Sequence, residues 1–351
     1  MVPSGVPKAS ARGIPVALVG TRMSGLRFFA DSFGLVIAAS AVVQLGPTAF
    51  WGSFSPVVAS IAQPGERERW FGFLGALRNA SFAIGGLVAA VALTVGTATA
   101  YTAVIVANAA SYLLAFGLLL SVRSPAPVDP SPPAPGSRSG WGQVLRDRAY
   151  LLLVATNYCY AISAMALNIA MPVYIIEVLE LPGWVAGVLF TLNTVMIGLG
   201  QGLVVNAMQG SVRTNIVALG SLLSAASYVV MLSADWTTVA IGVVLVLAGA
   251  VVYTGGELVA GPVLTALSTD AAPEHLRGRY VSLYQLSWTI ALTTAPVSLT
   301  WLLEKGPTAL WGALTAVALA GVLLSALLRR AMPLAAAKVT NAPATALPQT
   351  P

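Results

Sequence analysis

The sequence predicts an all-α polytopic membrane protein, and three observations predict it. Hydrophobic residues make up 57% of the 351 and charged residues only 9%, against roughly 25% charged in an ordinary soluble domain. A soluble chain so poor in charge could not cover its surface. Apolar runs of about 20 residues recur along the whole chain, the length needed to cross a hydrocarbon core roughly 30 Å thick. The runs are continuous, without the ten-residue alternation of barrel strands, so they read as helices.

About ten spans are predicted, near 14–32, 35–61, 72–94, 101–122, 149–176, 184–206, 213–233, 237–266, 280–303 and 307–329. Arg22 and Arg27 interrupt the first, and Pro47 and Pro56 kink the second. Lys and Arg set the orientation. Lys8, Arg12, Arg67, Arg69, Arg123, Arg138, Arg146, Arg148, Arg213, Arg277, Arg279, Arg329, Arg330 and Lys338 fall on one side, and Lys305 on the other. This places both termini in the cytoplasm and the chain in the cell membrane. It also accounts for the net charge of +6 without nucleic acid.

Residues 123–148 are rich in Pro and Ser and read as an extended cytoplasmic linker. The expected organisation is an incomplete N-terminal half-bundle over 1–122, a six-helix bundle over 149–331 and a disordered cytoplasmic tail over 332–351. The two halves repeat. "RGIPVAL" at 12–18 matches "RTNIVAL" at 213–219. "SPVVASIAQPGERERW" at 55–70 matches "GPVLTALSTDAAPEHLRGRY" at 261–280, so that Arg67 and Arg69 pair with Arg277 and Arg279. A doubled helix bundle is a transporter architecture with its site near the midplane. The second copy carries two spans ahead of Arg213, and the first has no counterpart ahead of Arg12. The expectation is an N-terminally shortened chain.

Enzyme chemistry finds no footing. One cysteine, Cys159, excludes an internal disulfide, and with one histidine, His275, it leaves no zinc-type ligand set. No nucleotide loop, zinc-protease motif or nucleophile elbow occurs. Gly198, Gly200 and Gly202 lack nucleotide-binding spacing and read as small residues for close helix packing. No cofactor or metal is expected.

The repeat, the linker and the two R-x-R loops resemble the major facilitator superfamily, over residues 12 to 331. The resemblance is closest to twelve-span drug:proton antiporters. It rests on "TLNTVMIGLGQ" at 191–201, "GGELVAGP" at 255–262 followed by "DAAPEHLRGRY", and "MPVYIIEVL" at 171–179. It implies two pseudo-symmetric helical bundles, with the first two of twelve spans missing here. The chain departs from the group in two places. "NAMQGSVRTN" lacks the usual Asp, and "SFAIGGLVAAV" lacks a Gly-Pro.

Glu257 lies in the apolar run "GGELVAGP". An ionisable group in a bilayer core costs several kcal/mol, so its presence marks either a function or a satisfied structural acid. Its helical face carries small residues and Tyr253, which sits one turn away, in reach of the carboxyl. Burial away from cations would let it exchange protons near physiological pH. Asn193 and Gln201 share a face of their span, where amides either contact substrate or bridge helices. Asn157, Asn168 and Pro172 share a face of a kinked helix, suited to gating or packing. Tyr284 and Trp288 form an aromatic wall or a packing pair. Arg78 and Asn79 read as interfacial, with Arg78 snorkelling to the head groups. Arg67, Arg69, Arg277 and Arg279 either express topology alone or latch the cytoplasmic gate on Glu66, Glu68, Asp270 and Glu274.

The expected function is proton-coupled efflux of a small hydrophobic or amphipathic compound by alternating access. Glu257 would carry the proton. The partners are the substrate, protons and the lipid bilayer, with no nucleic acid, and the chain acts as a monomer. The rival reading is a non-transporting membrane protein, an inert fragment or an assembly partner.

Overall fold

The computed structural model describes Val58, Ala62 and residues 66–121, 140–332 and 337–340. The expected spans near 14–32 and 35–61 fall outside these, Val58 excepted. The long helices are α1 (Arg67–Val95) and α2 (Ala98–Ser121), then, after a short α3 (Trp141–Val144), α4 (Arg148–Val178) and α5 (Trp184–Ala207). They continue with α6 (Arg213–Ser233), α7 (Val239–Asp270), α8 (Arg277–Glu304) and α9 (Pro307–Ala331). Seven helices among the described residues are long and apolar enough to cross a membrane. Every expected span within these residues coincides with a helix.

Two compact units divide the chain. One comprises Met1–Val57 and Ile84–Pro132, the other Val58–Ala83 and Pro133–Pro351. The opening turns of α1 lie in the second unit, where Gly72 brings α1 against Gln201 and Val205 of α5. In this second unit α6 packs on α7 and α9, α4 on α8 and α9, and α5 on α7. Two apolar clusters fill the interior, one around Trp311, Tyr228 and Tyr174, the other around Tyr150, Leu264 and Leu267.

Gly220 and Gly256 set the α6–α7 crossing. A methyl on Gly256 would stand 2.7 Å from the Gly220 carbonyl oxygen, and one on Gly220 would stand 2.8 Å from the Gly256 carbonyl. Only glycine lets the backbones approach this closely. The helix α4 is not regular. Two π-helical turns, Ala166–Ala170 and Tyr174–Val178, flank Met171–Val173. Pro172 has no N–H to donate, so the ladder widens around it. Between α8 and α9, Gly306 adopts φ 112° and Pro307 opens the next helix, the usual asymmetry of stop and start signals.

The linker ends in structure. Asp147 caps α4 by accepting the Tyr150 N–H at 3.0 Å, and its other oxygen accepts the Tyr280 hydroxyl at 3.1 Å. Val144 of α3 is fully buried. The expected disordered tail is also corrected over 337–340. Lys338 forms an antiparallel bridge with Val212, the Arg213 N–H donates to the Ala337 carbonyl at 2.9 Å, and Val339 is fully buried in the Tyr150 cluster. One apolar side chain and three backbone hydrogen bonds anchor this part of the expected disordered tail.

Candidate functional site

Glu257 lies on α7, 13 residues before Asp270 at the helix end, about 20 Å by helical rise. It is half-buried. The Asn193 amide of α5 donates to its Oε2 at 2.9 Å and to Thr254 Oγ1 at 3.1 Å. Thr254 in turn donates its own proton to the Ala250 carbonyl at 2.8 Å, so both amide hydrogens of Asn193 are committed. Asn193 and Glu257, read separately from sequence, form one unit across the α5–α7 contact.

Tyr253 does not join it. Its hydroxyl donates to the Ser163 carbonyl of α4 at 3.3 Å, as does Tyr228 of α6. The helical position allowed either partner, and the neighbouring helix supplied the acceptor. Gln201 donates to the Leu258 carbonyl at 2.9 Å and is buried, which makes it a helix bridge. Asn157 is fully buried and donates to Ser287 of α8 at 2.7 Å, while its Oδ1 has no hydrogen bond. Asn168 is exposed and folds back on the Ala164 carbonyl. Tyr284 is buried, and Trp288, half-buried, packs edge-on against Tyr160 of α4 at 5.9 Å.

Arg78 stands well inside α1. Because α1 begins at Arg67 and not near 72, Arg78 stands 11 residues along it, about 16 Å from Arg67. It is exposed. Asn79, its neighbour, bonds back to the Gly75 carbonyl at 2.9 Å.

At the R-x-R end, Arg67 pairs with Asp270 at the close of α7. Arg213 at the start of α6 meets Asp270 at 2.8 Å and also holds Glu68 of α1. Glu68 and Arg213 are buried. Burial, followed by the charges of Arg277 and Arg213, lowers the Arg67 pKa, while Glu68 acts against them. Arg69 donates to Asn206 at 3.1 Å, and Arg279 is exposed. Of the predicted latch acids, Asp270 and Glu68 take part. Sequence reasoning missed Arg213, which it read only as a topology charge. The repeat, in which "RTNIVAL" at 213–219 matches "RGIPVAL" at 12–18, marked its position without its role. Gly198 and Gly202 are also corrected. A methyl at either meets nothing within 4 Å, and both line a cavity of about 530 Å³ with Gly72, Phe73 and Arg69.

Long apolar helices around an interior acid, with an ion cluster tying one bundle end, define a multi-pass helical carrier. Residues 11–296 match the Major Facilitator Superfamily, and the chain belongs to that family of secondary transporters. No curated protein matches the chain significantly. Among solved structures it is similar to a bacterial homologue of the iron transporter ferroportin in an outward-facing state, with 16% identity and TM-score 0.66. That match covers 90% of this chain and 82% of the other. The human organic anion transporter MFSD10 (TETRAN) is similar at 12% identity and TM-score 0.66, covering 89% and 76%. At these identities the likeness is one of fold.

Proposed function

We propose that the chain is a proton-coupled exporter of a small amphipathic compound, working by alternating access in the cell membrane with both termini cytoplasmic. The observation that carries this reading is Glu257, an acid about 20 Å from its helix end and held by the Asn193 amide. An intramembrane acid retained at such cost is a site by default. Asn193 fixes the carboxyl orientation, so the proton is taken and released at a defined place. Thr254 and Gln201 hold α5 and α7 together around it.

The ion cluster of Arg67, Glu68, Arg213 and Asp270 serves as the cytoplasmic gate, with Arg277 beside it. It ties the start of α1 to helix ends of the second bundle. Breaking these pairs opens the inward path, and re-forming them closes it.

The test is flux in proteoliposomes. A panel of amphipathic compounds is followed with and without a pH gradient, for the parent chain and Glu257→Gln. The expected result is gradient-driven flux that the substitution uncouples. Gradient-driven flux equal in both would overturn the proton role.

A further inference from the structure

The cavity between α1 and α5 is an apolar groove with a charged mouth. Arg69, Gly72, Phe73 and Ala76 recur at helical spacing and share one face of α1. Gly198, Gly202 and Asn206 do the same on α5. These two faces bound about 530 Å³, within the roughly 300–1,000 Å³ of small-molecule sites. The polar groups stand at one end. Asn206 lies in the last turn of α5, a membrane-length helix, and so near a bilayer surface. Arg69 donates to it at 3.1 Å, which sets both at one level. From there the wall runs inward about 12 Å to Gly198. Phe73 and Leu199 on the rim are 62% and 76% exposed, so the groove opens outward. It is hollow because side chains are missing: a methyl on Gly198 or Gly202 would meet nothing within 4 Å.

We infer that this groove seats an anionic phospholipid of the bilayer, with its phosphate on Arg69 and one acyl chain along Phe73, Gly198 and Gly202. The Arg69 Nε–H is spent on Asn206, which orients the guanidinium. Its two terminal nitrogens carry four further N–H donors, a planar fork that suits a phosphate. The neighbouring acid, Glu68, is buried on Arg213, and among the described residues no acid lines the groove. A soluble anion would leave the apolar channel empty, and an uncharged amphiphile would leave the cation unanswered. A phospholipid supplies both parts in the order in which the groove presents them, head at the surface and chain inward. Asn193 and Gln201 of the same helix turn to α7, so the groove lies apart from the Glu257 unit and the inference is independent of the exporter reading.

Native mass spectrometry of the purified full chain tests this, with three probes: dioleoylphosphatidylglycerol, dioleoylphosphatidylcholine and inorganic phosphate. The first phosphatidylglycerol bound is expected to bind more tightly than the first phosphatidylcholine, and phosphate alone to bind negligibly. Arg69→Gln should weaken phosphatidylglycerol by about five- to ten-fold, the loss of one cation at the surface, and leave phosphatidylcholine nearly unchanged. Arg330→Gln removes an exposed arginine that closes α9 outside the groove, and should leave the first site as it was. Gly198→Leu fills the channel and should remove the first site for both lipids, with thermal unfolding unchanged because the space it enters is open. Gly202→Leu repeats that test one turn away should the first variant fold poorly. Equal affinity for the two lipids would overturn the inference, as would equal losses from Arg69→Gln and Arg330→Gln. A folded groove-filling variant that keeps the first site would also overturn it. Phosphate bound as tightly as the lipid would show an anion site without an acyl seat, and would overturn it too.

Discussion

The Arg213 guanidinium meets the Asp270 carboxylate at 2.8 Å, the start of α6 against the end of α7. The same arginine holds Glu68, so one buried cation binds an acid from α1 and an acid from α7. Removing one partner of a buried pair leaves the other uncompensated, at a cost of about 3–5 kcal/mol. Arg213→Gln should therefore lower the unfolding temperature of the detergent-solubilised protein by several degrees. Adding Glu68→Gln should recover part of that loss, because the stranded charge is gone. A double variant less stable than the single would contradict this account of the cluster.

The α6–α7 crossing predicts a second effect. Gly256→Ala places a methyl 2.7 Å from a backbone carbonyl that has nowhere to move. Overpacking of this kind costs about 1–3 kcal/mol. Gly198→Ala, on the open cavity wall, should be near neutral by comparison. Thermal unfolding of the two variants side by side checks the ranking.

The tail predicts a third. Val339 is fully buried and the Ala337 carbonyl accepts the Arg213 N–H. Val339→Asp puts a charge into the apolar cluster around Tyr150, and should release the 208–213 loop. Hydrogen exchange at the first turn of α6 should quicken, with Arg213 loosened beside it. Unchanged protection there would show that the segment merely rests on the bundle.

The sequence displayed the helices because hydropathy over 20 residues is a strong local signal, and Glu257 because an acid stands out in such a run. What it hid was placement across helices. The start of α1 at Arg67, ahead of the expected span, carries Arg78 about 16 Å along the helix. Asn193 and Glu257 could not be joined from sequence, since 64 positions separate them and only the α5–α7 contact brings them together. Tyr253 shows the converse. Its spacing of one turn from Glu257 was correct, but the Ser163 carbonyl of another helix took its hydroxyl. Arg213 carried the same charge signal as every topology arginine, and its burial against Glu68 and Asp270 emerges only in the fold.

The central claim is that Glu257 carries the exchanged proton. Proton release into weakly buffered solution tests it most directly, when the compound whose flux the pH gradient drives is added to purified protein. The account predicts proton release when the compound binds, by the reciprocity of coupled binding, and none from Glu257→Gln. Equal release from both proteins would contradict it.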